Sequence, residues 1–157
     1  MQIQRTRTEI PNLLQELKTL LQLAGVGAHD TLLANTLDAA IPKVEGWCGI
    51  AIGETIVRLK GSLVAIDPDD ALPVLPVWTV PAFALTSVVD AATITRYTAT
   101  YTAGYSVVSN AEYPLPDDLK EAVLRCAVSL LPPDFQAGSG VNLDWKCLAR
   151  PYRQIRL

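Results

Sequence analysis

The sequence predicts an α+β fold that is mainly helical, a small helical bundle with a β-strand-bearing, Pro-rich insertion and an extended C-terminal arm. Three observations support this prediction. Three stretches place apolar residues at spacings of three and four, the signature of amphipathic helices. From Thr55 to Thr102 the pattern changes to β-branched and aromatic runs that favour strands. After "AGSG" at 137–140 the chain closes with interleaved apolar and basic residues.

The composition is apolar for a chain of this size. Of 157 residues, 50% are hydrophobic and only 18% are charged, against an average of about 25%. The longest apolar runs are too short to span a bilayer, and the N-terminus lacks the apolar core of a signal peptide. We expect the additional apolar residues to be buried at interfaces between subunits, since obligate interfaces resemble a core cut in half. The alternative is a somewhat apolar monomer.

Helices are predicted at about 9–24, 30–46 and 116–131. Each carries one apolar stripe, and the third begins at Pro116, which suits the first helical position. The stripe of the third helix consists of Leu119, Ala122, Val123, Cys126, Ala127 and Leu130.

A second apolar flank runs along the third helix. It contains Leu124 and Val128, which we predict to contact a neighbouring subunit.

Strands are predicted within 55–102, interrupted by a proline-rich segment at 67–83. Four prolines exclude a helix or a central strand there. The segment is nevertheless apolar, which indicates an extended arm laid across another surface. Leu75, Val77 and Trp78 are therefore predicted inter-subunit contacts.

The charges are divided unevenly along the chain. The net charge is −3, whereas the stretch from Trp145 to Leu157 carries four bases and no acid, so the remainder carries −7. This indicates a tail that docks on an acidic partner or touches nucleic acid. A solvated, frayed terminus is the alternative.

No catalytic or metal-binding pattern stands out. His29 is the single histidine, and adjacent carboxylates such as Asp117 and Asp118 point apart on a helix, which makes a poor acid–base pair. P-loop and nucleophile-elbow motifs are absent from the sequence. Three cysteines without CxxC spacing fit a reduced, cytosolic chain. We therefore predict a non-enzymatic protein without cofactor or metal.

Several short motifs resemble the head–tail connector, or adaptor, proteins of tailed bacteriophages. "YTAGY" at 101–105 ends a strand, and a loop then leads to a Pro-headed helix with the Leu-Lys-x-Ala spacing of Leu119 to Ala122. "GWCG" at 46–49 and the closing "LARPYRQIRL" also look like this family. The motif positions are Trp47, Cys48, Gly49, Tyr101, Gly104, Tyr105, Pro116, Leu119 and Ala122.

The resemblance implies a virion protein that is assembled in the host cytoplasm and located in the neck. Copies would form a ring, expected to be dodecameric, beneath the portal protein, extending the DNA channel and carrying the next neck or tail protein. DNA would pass without specific binding, and no membrane would be involved. Residues 1–137 would form the connector domain and 138–157 a docking arm. The portal contacts would be Trp145, Lys146, Arg150, Tyr152, Arg153 and Arg156.

Three alternatives stay open at this point. The chain could be a neck stopper or tail-completion protein. It could be a non-viral ligand- or protein-binding module with 67–83 lining a groove. It could also be a hydrolase that uses Asp69, Asp70, Asp117 and Asp118.

Overall fold

The structure is a computed structural model that describes residues 2–62, 84–87, 96–111 and 113–153. The helices are α1 (Leu14–Leu20), α2 (Asp30–Cys48), α3 (Asp117–Leu130), α4 (Pro133–Ser139) and α5 (Trp145–Ala149), the last followed by a 3₁₀ turn at Arg150–Tyr152. The strands are β1 (Gln2–Arg7), β2 (Thr55–Ser62), β3 (Ala84–Ser87) and β4 (Arg96–Ala103). The predicted α+β, mainly helical fold class is confirmed.

The four strands form one antiparallel sheet in the order β1-β2-β4-β3. The long β2–β4 pair, with Thr55 opposite Ala103 and Ser62 opposite Arg96, is its centre. β1 was not predicted, because "QIQRTR" is too polar to read as a strand. Its pairing with β2, with Arg7 opposite Thr55, supplies the backbone hydrogen bonds that stabilise the strand despite its polar composition.

The helices enclose the hydrophobic core. α2 packs on α3, and α1 and α5 pack against this pair. The α2 stripe of Leu33, Leu37, Ile41 and Val44 is buried. The predicted α3 stripe is buried from Leu119 to Ala127, but its last member, Leu130, is 40% exposed, so the prediction was wrong there. α2 continues through Pro42 and ends at Gly49, whose φ of +73° closes the helix in the left-handed region that favours glycine.

The first helix is shorter than predicted, at Leu14–Leu20 instead of 9–24. The backbone N–H groups of Thr8 and Glu9 donate to the carbonyl of Glu54, which holds this segment in the extended path that leaves β1. Residues 8 and 9 are therefore tied to the residue that precedes β2 and continue the path of β1 instead of beginning the helix.

The predicted second flank of α3 requires correction. Val128 is 0% exposed, so it offers no surface to a neighbouring subunit, and Leu124, at 7% exposed, offers only a small one in the groove beside α1. The reason is that α3 has more than one intramolecular neighbour. α5 packs on it as well as α2, and Leu20 of α1 lines the same groove as Leu124.

The C-terminal arm is also different from the expectation of an extended segment. Residues 145–152 are helical, and Trp145 and Ala149 belong to the core cluster. Asp144 begins α5 by accepting a hydrogen bond from the Cys147 N–H, at 3.3 Å. The predicted contacts Leu75, Val77 and Trp78, and Arg156 of the tail, lie outside the described residues.

Candidate functional site: an aromatic and cationic surface at the C-terminus

The two tryptophans of the site come from distant parts of the sequence. Trp47, in the last turn of α2, meets Trp145 of α5 edge to face, with ring centroids 5.6 Å apart. The Arg153 guanidinium lies 4.7 Å from the centroid of the Trp47 ring, and the Lys146 amine lies 5.7 Å from that of Trp145. Such cation–π contacts hold flexible basic side chains against the surface.

The "GWCG" motif therefore lies directly beneath the C-terminal segment. The Cys48 thiol is buried and lies 3.7 Å from the Ala149 carbonyl oxygen, to which it donates. Burial raises the pKa of Cys48 to about 11, although the positive charge of Arg153 opposes this shift. A thiol with so high a pKa stays protonated at neutral pH, so Cys48 acts as a packing residue and not as a nucleophile.

The second pair of motifs meets beside the first. Tyr105, from "YTAGY", contacts Tyr152, from "RPYR", edge to face with ring centroids 6.3 Å apart. Burial raises the pKa of both phenols, and the neighbouring Tyr152 also contributes to the shift of Tyr105. Three sequence motifs that are far apart in the chain thus converge on one place.

Gly104 explains how Tyr105 is positioned. Its φ is +108°, and a β-carbon built on it would lie 2.4 Å from the Gly53 carbonyl oxygen. Gly53 in turn has a φ of +89° and would clash with the Glu9 carbonyl oxygen, also at 2.4 Å. Three backbone segments therefore meet at a distance that excludes side chains. The Tyr105 N–H donates to Ala51, and its carbonyl accepts from Gly53, which fixes the ring above the C-terminal turn.

The Glu9 carboxylate also stabilises the place where these three backbone segments meet. Glu9 accepts hydrogen bonds from the Val107 N–H at 2.9 Å and from the Ser106 hydroxyl at 3.0 Å. Burial alone would raise the pKa of Glu9, but these bonds and a longer one from the Glu54 N–H lower it overall. The bonds link the start of the chain to the loop that follows Tyr105.

The predicted partner-binding residues divide into exposed and buried ones. Lys146, Arg150 and Arg153 are exposed, and Tyr152 is partly buried. Trp145 is only 6% exposed, so its prediction is corrected: it supports the surface from below. The residues that a partner could reach, which we call the tail surface, are Trp47, Lys146, Arg150, Tyr152 and Arg153.

The remaining motif positions support the scaffold. Pro116 precedes α3 in extended geometry, and Leu119 and Ala122 are fully buried in the core. The backbone of Tyr101 pairs with Val57 and Leu85 in the sheet.

Two ion pairs that sequence reasoning missed tie the helices to their surroundings. Glu45 of α2 pairs with Arg7 of β1, and Lys18 of α1 pairs with Asp30 at 2.8 Å. Glu45 is only 2% exposed, and burial raises its pKa to about 7 against the lowering effect of Arg7. Its position, four residues after Ile41 and three before Cys48, lies on the buried stripe, and this spacing was the available signal.

The described residues contain no group of three or more histidine, cysteine, aspartate or glutamate side chains that could hold a metal ion. Within the same part of the chain, none of the helices combines the length and apolar character needed to cross a membrane. His29 packs its ring on Phe135, with centroids 5.1 Å apart.

No protein-family model matches the chain, and no curated protein matches it. Solved structures do. A chain from the neck of an empty gene transfer agent (GTA) particle, computed with C6 symmetry, aligns with a TM-score of 0.62 at 23% identity, covering 100% of this chain and 97% of that one. A chain from the virion of the native GTA particle gives 0.64 at 23% identity, with 98% and 96% covered. A chain from the neck of the native particle, computed with C12 symmetry, gives 0.53 at 20% identity, with 100% and 97% covered.

The alignments cover nearly the whole length of both partners. This chain therefore has the fold of chains found in the neck and virion of gene transfer agent particles, which confirms, at the level of the fold, the resemblance drawn from the sequence motifs.

Proposed function

We propose that this protein is a structural subunit of the neck of a phage-like particle. In this role it is an adaptor: copies form a ring under the portal protein, extend the DNA channel and join the head to the tail. The observation that carries the proposal is the full-length fold shared with neck chains of gene transfer agent particles. The protein works through its surfaces, without a catalytic centre, in the virion neck.

The symmetry of the related assemblies supports a ring. The neck structures were computed with C6 and C12 symmetry, and a twelve-subunit ring is compatible with both. A dodecamer of this chain is therefore the assembly we propose. The acidic balance of the chain outside its tail suits the wall of a channel, because a basic wall would retain the DNA that must pass.

The tail surface is the portal contact in this proposal. It combines exposed bases with partly buried aromatic rings, and aromatic and arginine residues are the types that most often dominate binding at protein interfaces. Its bases are pre-positioned, since Arg153 already rests on Trp47, so binding costs less side-chain entropy than it would for a free terminus.

A stopper or tail-completion protein, one level further down the neck, is the second candidate. The two roles differ in which component meets the tail surface. An adaptor binds the portal directly, whereas a stopper binds only after an adaptor ring is in place.

The test is a binding experiment between the purified chain and the portal protein of its particle. We expect replacement of Arg150 and Arg153 by alanine to weaken binding about tenfold, from roughly 0.7 kcal/mol for each exposed base at an interface. The matched control replaces Lys43 and Arg58 by alanine. These residues are exposed elsewhere on the protein, and their replacement removes the same number of positive charges. The control should bind like the unchanged protein.

Equal binding by the Arg150→Ala, Arg153→Ala variant and the control would remove the tail surface from the portal contact. Binding to the neck only when another ring is already present would assign the stopper role instead. Failure to associate with portal or neck components under any condition, alone or mixed, would refute the proposed function.

A further inference from the structure

Two surfaces that expose apolar side chains lie at opposite ends of the α2–α3 helix pair. The groove surface is a groove of about 470 Å³ beside the start of α3, lined by apolar residues such as Val107 and Pro114 and by polar ones such as Asp117 and Lys120. We include in it the exposed Val108, which follows Val107 in the chain. The loop surface consists of Val26 and Leu32, on either side of His29 at the start of α2. Neither surface is part of the tail surface.

The groove surface leaves apolar side chains uncovered in a well-fixed loop. Val108 is 48% exposed and Val107 is 41% exposed. The loop that carries them is held by the Glu9 carboxylate and by the Ser106 hydroxyl, which accepts from the Val108 N–H at 3.1 Å. A groove whose loop is already held in place loses little entropy when it is filled.

The loop surface projects where the chain turns from α1 into α2. Val26 is 42% exposed and Leu32 is 40% exposed. Between them, the His29 ring is fixed against Phe135 of α4, and the Lys18–Asp30 ion pair fixes the start of the helix. This surface is therefore also held in place before any partner binds.

The two surfaces are well separated on the subunit. The contact between His29 and Phe135 places the start of α2 near the segment that follows α3, so the two helices run antiparallel. The groove lies at the beginning of α3, and the loop surface lies at its far end. Fourteen residues of helix span roughly 21 Å.

A cyclic ring repeats one contact in which a surface of each copy meets a different surface of the next. Two surfaces with exposed apolar side chains at opposite ends of one subunit meet this requirement. The related neck chains belong to assemblies with C6 and C12 symmetry, so a second copy is the occupant that the geometry favours.

We propose that the loop surface, Val26 and Leu32, of one copy packs into the groove surface around Val108 of the next copy, and that this contact closes the ring. The inference rests on the proposed function and assigns its subunit interface. It replaces Leu124 and Val128, which are buried.

The test uses two variants of the full chain, Val108→Lys and Leu32→Lys. Each places a charge in one surface, and each is exposed enough to leave the fold intact, which the far-ultraviolet spectrum and Tm verify. Assembly is measured by native mass spectrometry over a range of concentrations, with and without the portal protein. Loss of an anchor residue of about 2 kcal/mol or more predicts at least about a 30-fold rise in the concentration needed for assembly.

A mixture of the two variants gives the decisive result. Each retains the surface that the other lacks, so the mixture should form heterodimers that cannot grow, because the two altered surfaces carry the same charge and repel. Leu143→Lys, a change at an exposed leucine outside both surfaces, should assemble like the unchanged protein.

Rings formed by the unchanged protein and by both variants alike would overturn this interface while leaving the ring, and so the proposed function, intact. Variants that fail alone and also fail to pair when mixed would overturn it too, since no complementary contact then exists. If the unchanged protein forms no multimer even with the portal, the proposed function fails, and this inference with it.

Discussion

Gly104 offers the sharpest test of how the motif "YTAGY" works. We predict that Gly104→Ala lowers the free energy of unfolding by about 4 kcal/mol. The φ of +108° accounts for roughly 1–3 kcal/mol, because a side chain rarely adopts this conformation. The new β-carbon would also lie 2.4 Å from the Gly53 oxygen and 3.1 Å from the Ala51 β-carbon. Relieving that clash requires the backbone to move, at roughly 1–3 kcal/mol for an overpacked site.

Two other glycines separate the contributions. Gly25 has a φ of +81° and nothing within 4 Å of a β-carbon, so Gly25→Ala should show the conformational cost alone. Gly46 lies within α2 with open space around it, so Gly46→Ala should stabilise the protein by about 0.5–1 kcal/mol.

The assay is urea denaturation of the three variants at one pH, with unfolding monitored by the far-ultraviolet circular dichroism signal of the helices. We expect the order Gly46→Ala above the unchanged protein, then Gly25→Ala, then Gly104→Ala. A Gly104→Ala variant as stable as Gly25→Ala would refute the reasoning, because it would show that the close contact with Gly53 has no energetic consequence.

Two further predictions concern the buried and half-buried carboxylates. Burial raises the folded-state pKa of Glu45 from 4.5 to about 7, so the folded state binds a proton that the unfolded state has lost, and the free energy of unfolding should fall by up to about 3 kcal/mol as the pH rises from about 4.5 to 7. Glu45→Gln should abolish this pH dependence in denaturation curves taken across that range. An unchanged pH dependence would contradict the assignment. Glu9→Gln should cost about 1–2 kcal/mol, because a charge-assisted acceptor is lost to Val107 and Ser106. The exposed control Glu16→Gln should stay within about 0.5 kcal/mol in the same urea titration, and equal effects of the two changes would show that the Glu9 bonds do not hold the junction.

The proposed neck role connects these features. Glu9, Gly53 and Gly104 bring three chain segments together beneath Tyr105, which in turn supports Tyr152. A change at this junction should therefore weaken portal binding as well as stability, since it displaces the turn that carries the tail surface. Binding of Gly104→Ala at a temperature where it stays folded would measure that connection directly.

The sequence alone determined the features that depend on local periodicity and backbone chemistry. The α2 and α3 helices were predicted nearly to the residue, because each needs one apolar stripe at spacings of three and four. The strands of β2 and β4 followed from their β-branched runs, and Gly104 from its place at a strand end. The uneven charge between the body and the tail was likewise visible in the sequence.

Only the tertiary structure decided which distant residues meet. The composition of β1 is too polar for the strand to be predicted from the sequence, and β1 forms because β2 offers an edge for it to pair with. Trp145, expected on an exposed arm, is buried because α5 folds back onto α3, and the same packing closes the flank at Val128. Spacing along a chain reports which face of an element is apolar, but whether that face meets its own chain or another copy depends on long-range contacts that no local pattern encodes.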